Sequence, residues 1–266
     1  MKKHIAVILI FAAMLSLFAV GCGGQDAAQN DQTPAEENTI VIGTAGCSPP
    51  MEWVDVKSNE LVGFDIDGMN AICKEVGLKA EYKVIAFDGL IPALQSKEID
   101  VIDCGLTITD ERKESIAFSD PYFKSGDSLM YWDNQKIDTP EDLSGKGAGV
   151  QANSSTHYAL EEVSKKLESE GKAPIKLKMF KTMSDAIADL QIQGVDAVAI
   201  DYPMAVDYLT KNPNATFKLN SPFATCDFGM GLRQDDTELV EKINQGLSAI
   251  KESGEYDKLV AKYFPN

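Results

Sequence analysis

The chain has 266 residues, 41 of them acidic and 25 basic, for a formal net charge of −16. So acidic a surface repels phosphate backbones and bare anionic lipid, which excludes a nucleic-acid binder and a protein that adheres to membranes by charge. Five cysteines are too few for a disulfide scaffold, so 44% hydrophobic residues must build the cores.

Residues 1–21 read as a signal peptide. MKKH precedes sixteen uncharged residues, IAVILIFAAMLSLFAV, a core too short for a membrane span and ended by a small residue. Ala19-Val20-Gly21-Cys22 resembles the lipobox of bacterial lipoproteins, in which the cysteine is lipidated, with palmitate among its acyl chains, and becomes the mature N-terminus. Ala19 stands where leucine is usual, and a plain signal peptide is the alternative. Residues 22–38 then form the lipidated N-terminus and a disordered tether; GGQDAAQNDQTPAEEN has almost nothing to bury and reaches about 20 to 25 Å on average. Losing Lys2 and Lys3 with the leader takes the charge from −16 to −18, so attachment falls to the lipid on Cys22.

From Thr39 onward strands and helices alternate, as in an α/β sheet. TIVIGT (39–44) is a continuous apolar strand. A helix follows over about 67–76, stopped by Gly77 and capped by Asp65 or Asp67. LKAEYKVI (78–85) is the next strand, Asp88 caps a short helix through Gln95, and IDVIDC (99–104) is a third strand, with Asp103 an unexplained polar break in it. GKGAG (145–149) suggests a phosphate loop, but it precedes its strand and lacks GK[ST], so it reads as a turn. His157 and Glu161 make one helical pair without further ligands, and no metal site is expected. Cys47, Cys73, Cys104 and Cys226 are either small buried thiols or include a Cys104–Cys226 bridge.

Two segments echo each other at an offset of 96. LIPALQSKEIDVID (90–103) and AIADLQIQGVDAVA (186–199) share Leu, Gln, a branched residue, Asp and a β run, which implies two similarly wound lobes. Ligands of open α/β sheets bind beyond the carboxyl ends of strands. After the first copy comes GLTITDER, with Thr107, Thr109 and Arg112; after the second, Asp201-Tyr202-Pro203, an acid at a helix start. Arg112 falls in the first turn of a helix running to about Ile116, where its guanidinium could clamp a carboxylate bidentately beside free N–H groups. Pairing with Asp110 or Glu114 is the bland alternative. A small zwitterion between the lobes would meet Arg112 on one side and Asp201 on the other.

GFDID with MNAICKEVG (63–77), FDGLIPALQSKEIDVIDCGLTITDERKESIAFSDPYF (87–123) and FGMGLRQDDTELVEKINQGLSAIKESGEYDKLVAKYF (228–264) resemble the family 3 extracellular solute-binding proteins, the amino-acid receptors of bacterial ABC importers. The resemblance implies a type II periplasmic-binding-protein-like fold: two α/β lobes joined by two crossing hinge strands near 122–126 and 223–228. Lobe 1 would be 39–124 plus 227–266, and lobe 2 would be 125–226. It also implies a carboxylate clamp of Arg112, Thr107 and the Ser155 amide. The ammonium acceptor would be Asp201 with the Gly105 carbonyl and the Thr107 hydroxyl, under a covering Phe87, with Gln151 and Ser48 on the selectivity wall.

Ala45 replaces an acid that some members carry for the ligand side chain, Ser48 replaces an aromatic, Gly68 an aliphatic residue, and QANSST (151–156) a glycine-threonine-threonine turn. An uncharged or polar ligand side chain is therefore favoured over lysine or arginine. The expectation is a non-catalytic amino-acid-binding lipoprotein, monomeric and without cofactor, extracytoplasmic, lipid-anchored to the cell membrane or periplasmic, and partnered by a permease. The alternatives are a periplasmic dehydratase-like enzyme, with Asp103 or Asp201 as general acid, and an amino-acid sensor domain.

Overall fold

The structure, a computed structural model, describes residues 38–265. The expected leader, the lipidation site Cys22 and the tether up to Glu37 lie outside the described residues. Among the described residues no helix is long and apolar enough to cross a membrane.

The chain begins with β1 (Thr39–Thr44), β2 (Cys47–Ser48), β3 (Glu52–Val54), β4 (Leu61–Val62), α1 (Phe64–Glu75), β5 (Lys79–Val84), α2 (Leu90–Gln95), β6 (Val101–Ile102), α3 (Asp110–Lys113) and β7 (Ala117–Phe118). A second series follows: β8 (Phe123–Trp132), β9 (Gly147–Gln151), α4 (Ser155–Ser169), β10 (Lys176–Phe180), α5 (Met183–Gln191), β11 (Ala197–Asp201), α6 (Tyr202–Lys211) and β12 (Phe217–Leu219). The chain then returns through β13 (Ala224–Phe228) and β14 (Gly231–Leu232) to α7 (Thr237–Glu252) and α8 (Glu255–Tyr263).

Among the described residues there are two large sheets, one per lobe, and a small three-stranded sheet, β2-β3-β4. The first has the order β5-β1-β6-β14-β7, the second β10-β9-β11-β8-β12 with β13 also on β8. In the first, Ile40, Ile42, Val101 and Leu232 pack with Met69 and Ile72 of α1, Ile243 and Leu247 of α7 and Leu259 of α8. Its other face covers Ile102 with Leu90 and Leu94 of α2. In the second, the period of two sorts neighbours onto opposite faces: Leu129, Tyr131, Ala197 and Ala199 join Leu160 and Leu167 of α4, whereas Met130, Val198 and Ile200 join Ile187 and Leu190 of α5 and Met204 of α6. Both lobes are thus three layers, helix over sheet over helix, and the whole is α/β.

The internal echo is structural. α2–β6 and α5–β11 are each a helix, a tight turn and a strand parallel to its neighbour. Lys97 and Gln193, 96 positions apart, both adopt a left-handed φ, 63° and 60°. Their N–H groups donate to Leu94 O and Leu190 O. Asp100 and Asp196, again 96 apart, accept the backbone N–H of Val41 and of Gly147 at 2.9 and 2.7 Å. Gly105 and Asp201 therefore stand at equivalent strand ends of the two lobes.

β8 and β13 carry the chain between the lobes side by side, antiparallel, from Phe123 opposite Phe228 to Asp127 opposite Ala224. Paired crossings let the lobes move by small changes in two adjacent strands.

Several local expectations are corrected. α1 starts at Phe64, its N-cap is Gly63, and neither Asp65 nor Asp67 caps it. Asp65 turns inward instead, accepting the Gly105 N–H at 2.7 Å and the Tyr122 O–H at 2.9 Å. Asp88 lies inside a 3₁₀ turn, Phe87–Gly89, and caps nothing. β6 is only two residues long, shorter than the 99–104 strand expected, and the chain then turns through Gly105 with φ 61°. Cys104 and Cys226 are both free thiols, not a bridge.

Gly63 has φ 143° and ψ 174°, a region open to glycine almost alone. A Cβ there would lie 2.1 Å from the Met51 carbonyl oxygen. Gly63→Ala is therefore expected to destabilise the chain by about 1 to 3 kcal/mol, measured as a lower urea midpoint at unchanged slope.

Candidate functional site

All eight residues expected at the site line one cleft between the two sheets. Ser48, Phe87, Gly105, Thr107 and Arg112 come from the first lobe, Gln151, Ser155 and Asp201 from the second. Met51, Cys104, Ser154, Met204 and Phe228 complete the wall; a Ser-rich helix start signals Ser154, but the apolar residues look like ordinary core in the sequence.

Arg112 is held in several ways at once. α3 is a single turn, shorter than the helix to Ile116 that the sequence suggests, and Thr109 caps it by accepting the Arg112 N–H at 3.1 Å. So short a helix has little dipole of its own, and the guanidinium supplies the charge. Arg112 is 7% exposed; burial shifts its pKa down, opposed by nearby anionic groups that include Asp201. One terminal nitrogen donates to Thr107 O at 2.8 Å and the other crosses the cleft to Asn153 O at 3.1 Å. The guanidinium lies over the Phe87 ring, 5.6 Å from its centroid.

The opposite wall is the start of α4. Ser154 is its N-cap and accepts the His157 N–H, which leaves Ser155 in the first turn. The Ser155 and Thr107 hydroxyls are 3.1 Å apart across the cleft. Gln151, 6% exposed, donates from Nε2 to Lys181 O, which fixes its side chain against the wall.

Asp201 occupies the N-cap position of α6 but makes no capping bond. Its Oδ1 is buried without a hydrogen-bond partner. Burial, then the neighbouring Asp127, pushes its carboxyl up to about 7, against the pull of Arg112. An acid that forgoes its cap and faces a cleft opposite a buried arginine is a strong acceptor for a cation placed between them. A shallow surface hollow of about 460 Å³ beside α7 is lined by Glu241, Gln245 and Glu252 and has no cation to match.

Residues 40–266 match the family model of the bacterial extracellular solute-binding proteins, family 3. The chain belongs to that family.

Other members share nearly its full length. A probable histidine-binding protein of Neisseria gonorrhoeae is 34% identical over 267 residues, 99% of this chain and 96% of the relative. An ancestral arginine-binding protein bound to arginine superposes with TM-score 0.80 at 41% identity, covering 85% of this chain and 98% of its own. The structure of an ancestral arginine-binding protein bound to glutamine gives 0.79 at 40% identity, covering 86% and 99%. The two lobes are those of the type II periplasmic-binding-protein fold.

Within this family fold the remaining expected features take plain roles. His157 Nδ1 accepts the Asn153 N–H at 3.4 Å and its ring stacks on Tyr158, so it braces the cleft wall. Asp103 does not line the cleft; it is buried behind it, 1% exposed.

Proposed function

We propose that this chain captures an L-amino acid between its lobes and delivers it to the permease of an ABC importer, without catalysing a reaction. The observation that carries this is the opposed pair on one cleft, Arg112 for the carboxylate and Asp201 for the ammonium. Thr107 and the first turn of α4 at Ser155 assist at the carboxylate, and the Gly105 carbonyl assists at the ammonium. Family membership supports the reading, and relatives named for histidine and arginine, with structures bound to arginine and to glutamine, support an amino-acid ligand.

Only about 20 Å³ of cavity remains between the lobes, room for one or two waters. An amino acid enters only when the lobes part, which breaks the Thr107–Ser155 and Arg112–Asn153 contacts. Bound ligand replaces those contacts with bonds to both lobes and favours closure by that difference. The lobes taken to move are 39–124 plus 227–266 and 125–226, flexing where β8 and β13 pair. Cleavage after Gly21 and lipidation of Cys22 would tether a monomer outside the cytoplasm, with residues 22–38 as its leash.

Ser48, Phe87 and Gln151, the candidates for the ligand side chain, carry no charge, and Asp201 is the one acid on the wall. An uncharged polar side chain fits better than a cationic one. In calorimetric titrations above neutral pH, L-glutamine or L-histidine is expected to bind at least about tenfold more tightly than L-arginine, since a cation without a partner forfeits a charge-assisted bond of about 1.5 to 3 kcal/mol. The reverse order would assign the wall to a basic side chain, and no binding of any amino acid would overturn the receptor reading.

A further inference from the structure

Asp201 is the one acid on the cleft wall, but a second acid, Asp127, lies against it behind the wall. In the second sheet Asp127 of β8 stands directly opposite Asp201 of β11. Carboxylate oxygens of both and the sulfur of Cys226 on β13 all lie within 4.8 Å of one another. Asp127 is 5% exposed, and its Oδ1, like that of Asp201, is buried without a hydrogen-bond partner. Two carboxylates so close in a sheltered place cannot both be charged at low cost, and neither has a cation bonded to it here.

We propose that Asp127 is a second carboxylate of the cation-binding end of the cleft, and that Asp127 and Asp201 hold a proton between them which the α-ammonium of an amino acid displaces. The inference rests on the amino-acid reading of the cleft and deepens it. Asp127 acts through Asp201, as a positioning residue. When the ammonium arrives, its N–H groups donate to Asp201, and the proton the pair held passes to buffer; no other bond changes.

The groups acting on the pair come from each element against it. Arg112, reaching over from the first lobe, favours ionisation of both. Burial opposes it more strongly, holding Asp127 at about 6 and, together with the Asp127 charge, Asp201 at about 7. The Cys226 thiol, pushed up to about 12 by burial and by the two acids, stays neutral and adds no charge of its own. Below these values the pair is protonated and an incoming ammonium must release a proton, so affinity falls as pH falls. Above them it is ionised and affinity no longer changes.

The test counts protons. L-glutamine and L-arginine, neither of which titrates near neutrality, are titrated calorimetrically at about pH 6 in buffers of different ionisation enthalpy, and the tighter ligand is then followed up to about pH 8. The parent chain is expected to release roughly one proton at pH 6, with affinity dropping towards tenfold per pH unit lost. Asp127→Asn, nearly isosteric, removes the like charge from Asp201, so its proton release and its pH dependence should both shrink while binding at pH 8 persists. A parent that binds without releasing a proton, or an Asp127→Asn chain that releases as many, overturns the proton exchange alone. A parent that binds neither these two ligands nor any other common amino acid at any pH overturns the amino-acid reading and the exchange with it.

Discussion

Replacing Arg112 with alanine is expected to weaken amino-acid binding by about 100-fold to 10,000-fold. Two charge-assisted hydrogen bonds to a carboxylate contribute about 1.5 to 3 kcal/mol each in a sheltered site, and each 1.4 kcal/mol is a factor of ten. The site is sheltered: Arg112 is 7% exposed, roofed by Phe87 and, within its own lobe, pinned to Thr107 O, a contact that survives opening of the cleft. That pinning keeps the side chain in place, so little of the binding energy is spent on ordering it. Arg112→Lys should recover only part of the loss, since one ammonium cannot hold Thr107 O and both oxygens of a carboxylate in a planar fork. Calorimetry on both variants, with urea unfolding to establish that they fold, measures this. Affinity within about threefold of the parent in Arg112→Ala would remove the clamp, because a single lost neutral hydrogen bond of about 1 kcal/mol already exceeds that factor.

What the sequence disclosed was whatever repeats or clusters along it. The strand at 39–44 announces itself by an apolar run, and the two wound units by an offset of 96 that the left-handed Lys97 and Gln193 turns reproduce in three dimensions. Arg112 and Asp201 were legible because each follows one copy of that unit and because the family motif around them is contiguous. Contacts between distant positions left no such mark. Asp65 has the spacing of a helix cap, yet its carboxylate serves Gly105 and Tyr122, 40 and 57 positions away. The cap of α1 is Gly63, chosen for a backbone angle that no side-chain pattern signals. Asp127 reads as one more polar residue in a hinge strand; only the register with β11 sets it against Asp201. The polar break at Asp103 has no meaning in its strand, and acquires one only beside Glu52 and Asp65.

Those three acids make the second large expectation: the unliganded chain should lose several kcal/mol of stability as pH rises from about 5 to 8. Glu52, Asp65 and Asp103 are 0%, 2% and 1% exposed behind the cleft. Neither Asp103 oxygen has a hydrogen-bond partner, and Glu52 lacks one for Oε1. Burial, then repulsion from Asp65, pushes Glu52 up to about 8; burial raises Asp65, and burial with repulsion from Asp65 and Glu52 raises Asp103 well above the carboxylate range. A carboxyl whose folded value is raised binds its proton more tightly in the folded chain, so its stabilising contribution is complete below the unfolded value and is lost as pH climbs towards the folded one. Each pH unit in that window costs about 1.4 kcal/mol per group, and Glu52 alone accounts for about 3 kcal/mol between pH 5 and 7.5. Acids with lowered values, such as Asp55 and Asp142, which accept nearby backbone N–H groups, act in the opposite sense but below about pH 4.5, outside this window. Repulsion within a chain of net charge −16 grows over the same range, so the series is run at high salt, which screens surface charge and leaves buried carboxyls unaffected. Asp103→Asn mimics the protonated acid at every pH; it should flatten the profile, match the parent near pH 5 and exceed it near pH 8. Urea midpoints across the range measure both chains, and a parent that is flat or gains stability towards pH 8 would mean these acids share their charge with a partner such as an entering cation rather than keeping their protons.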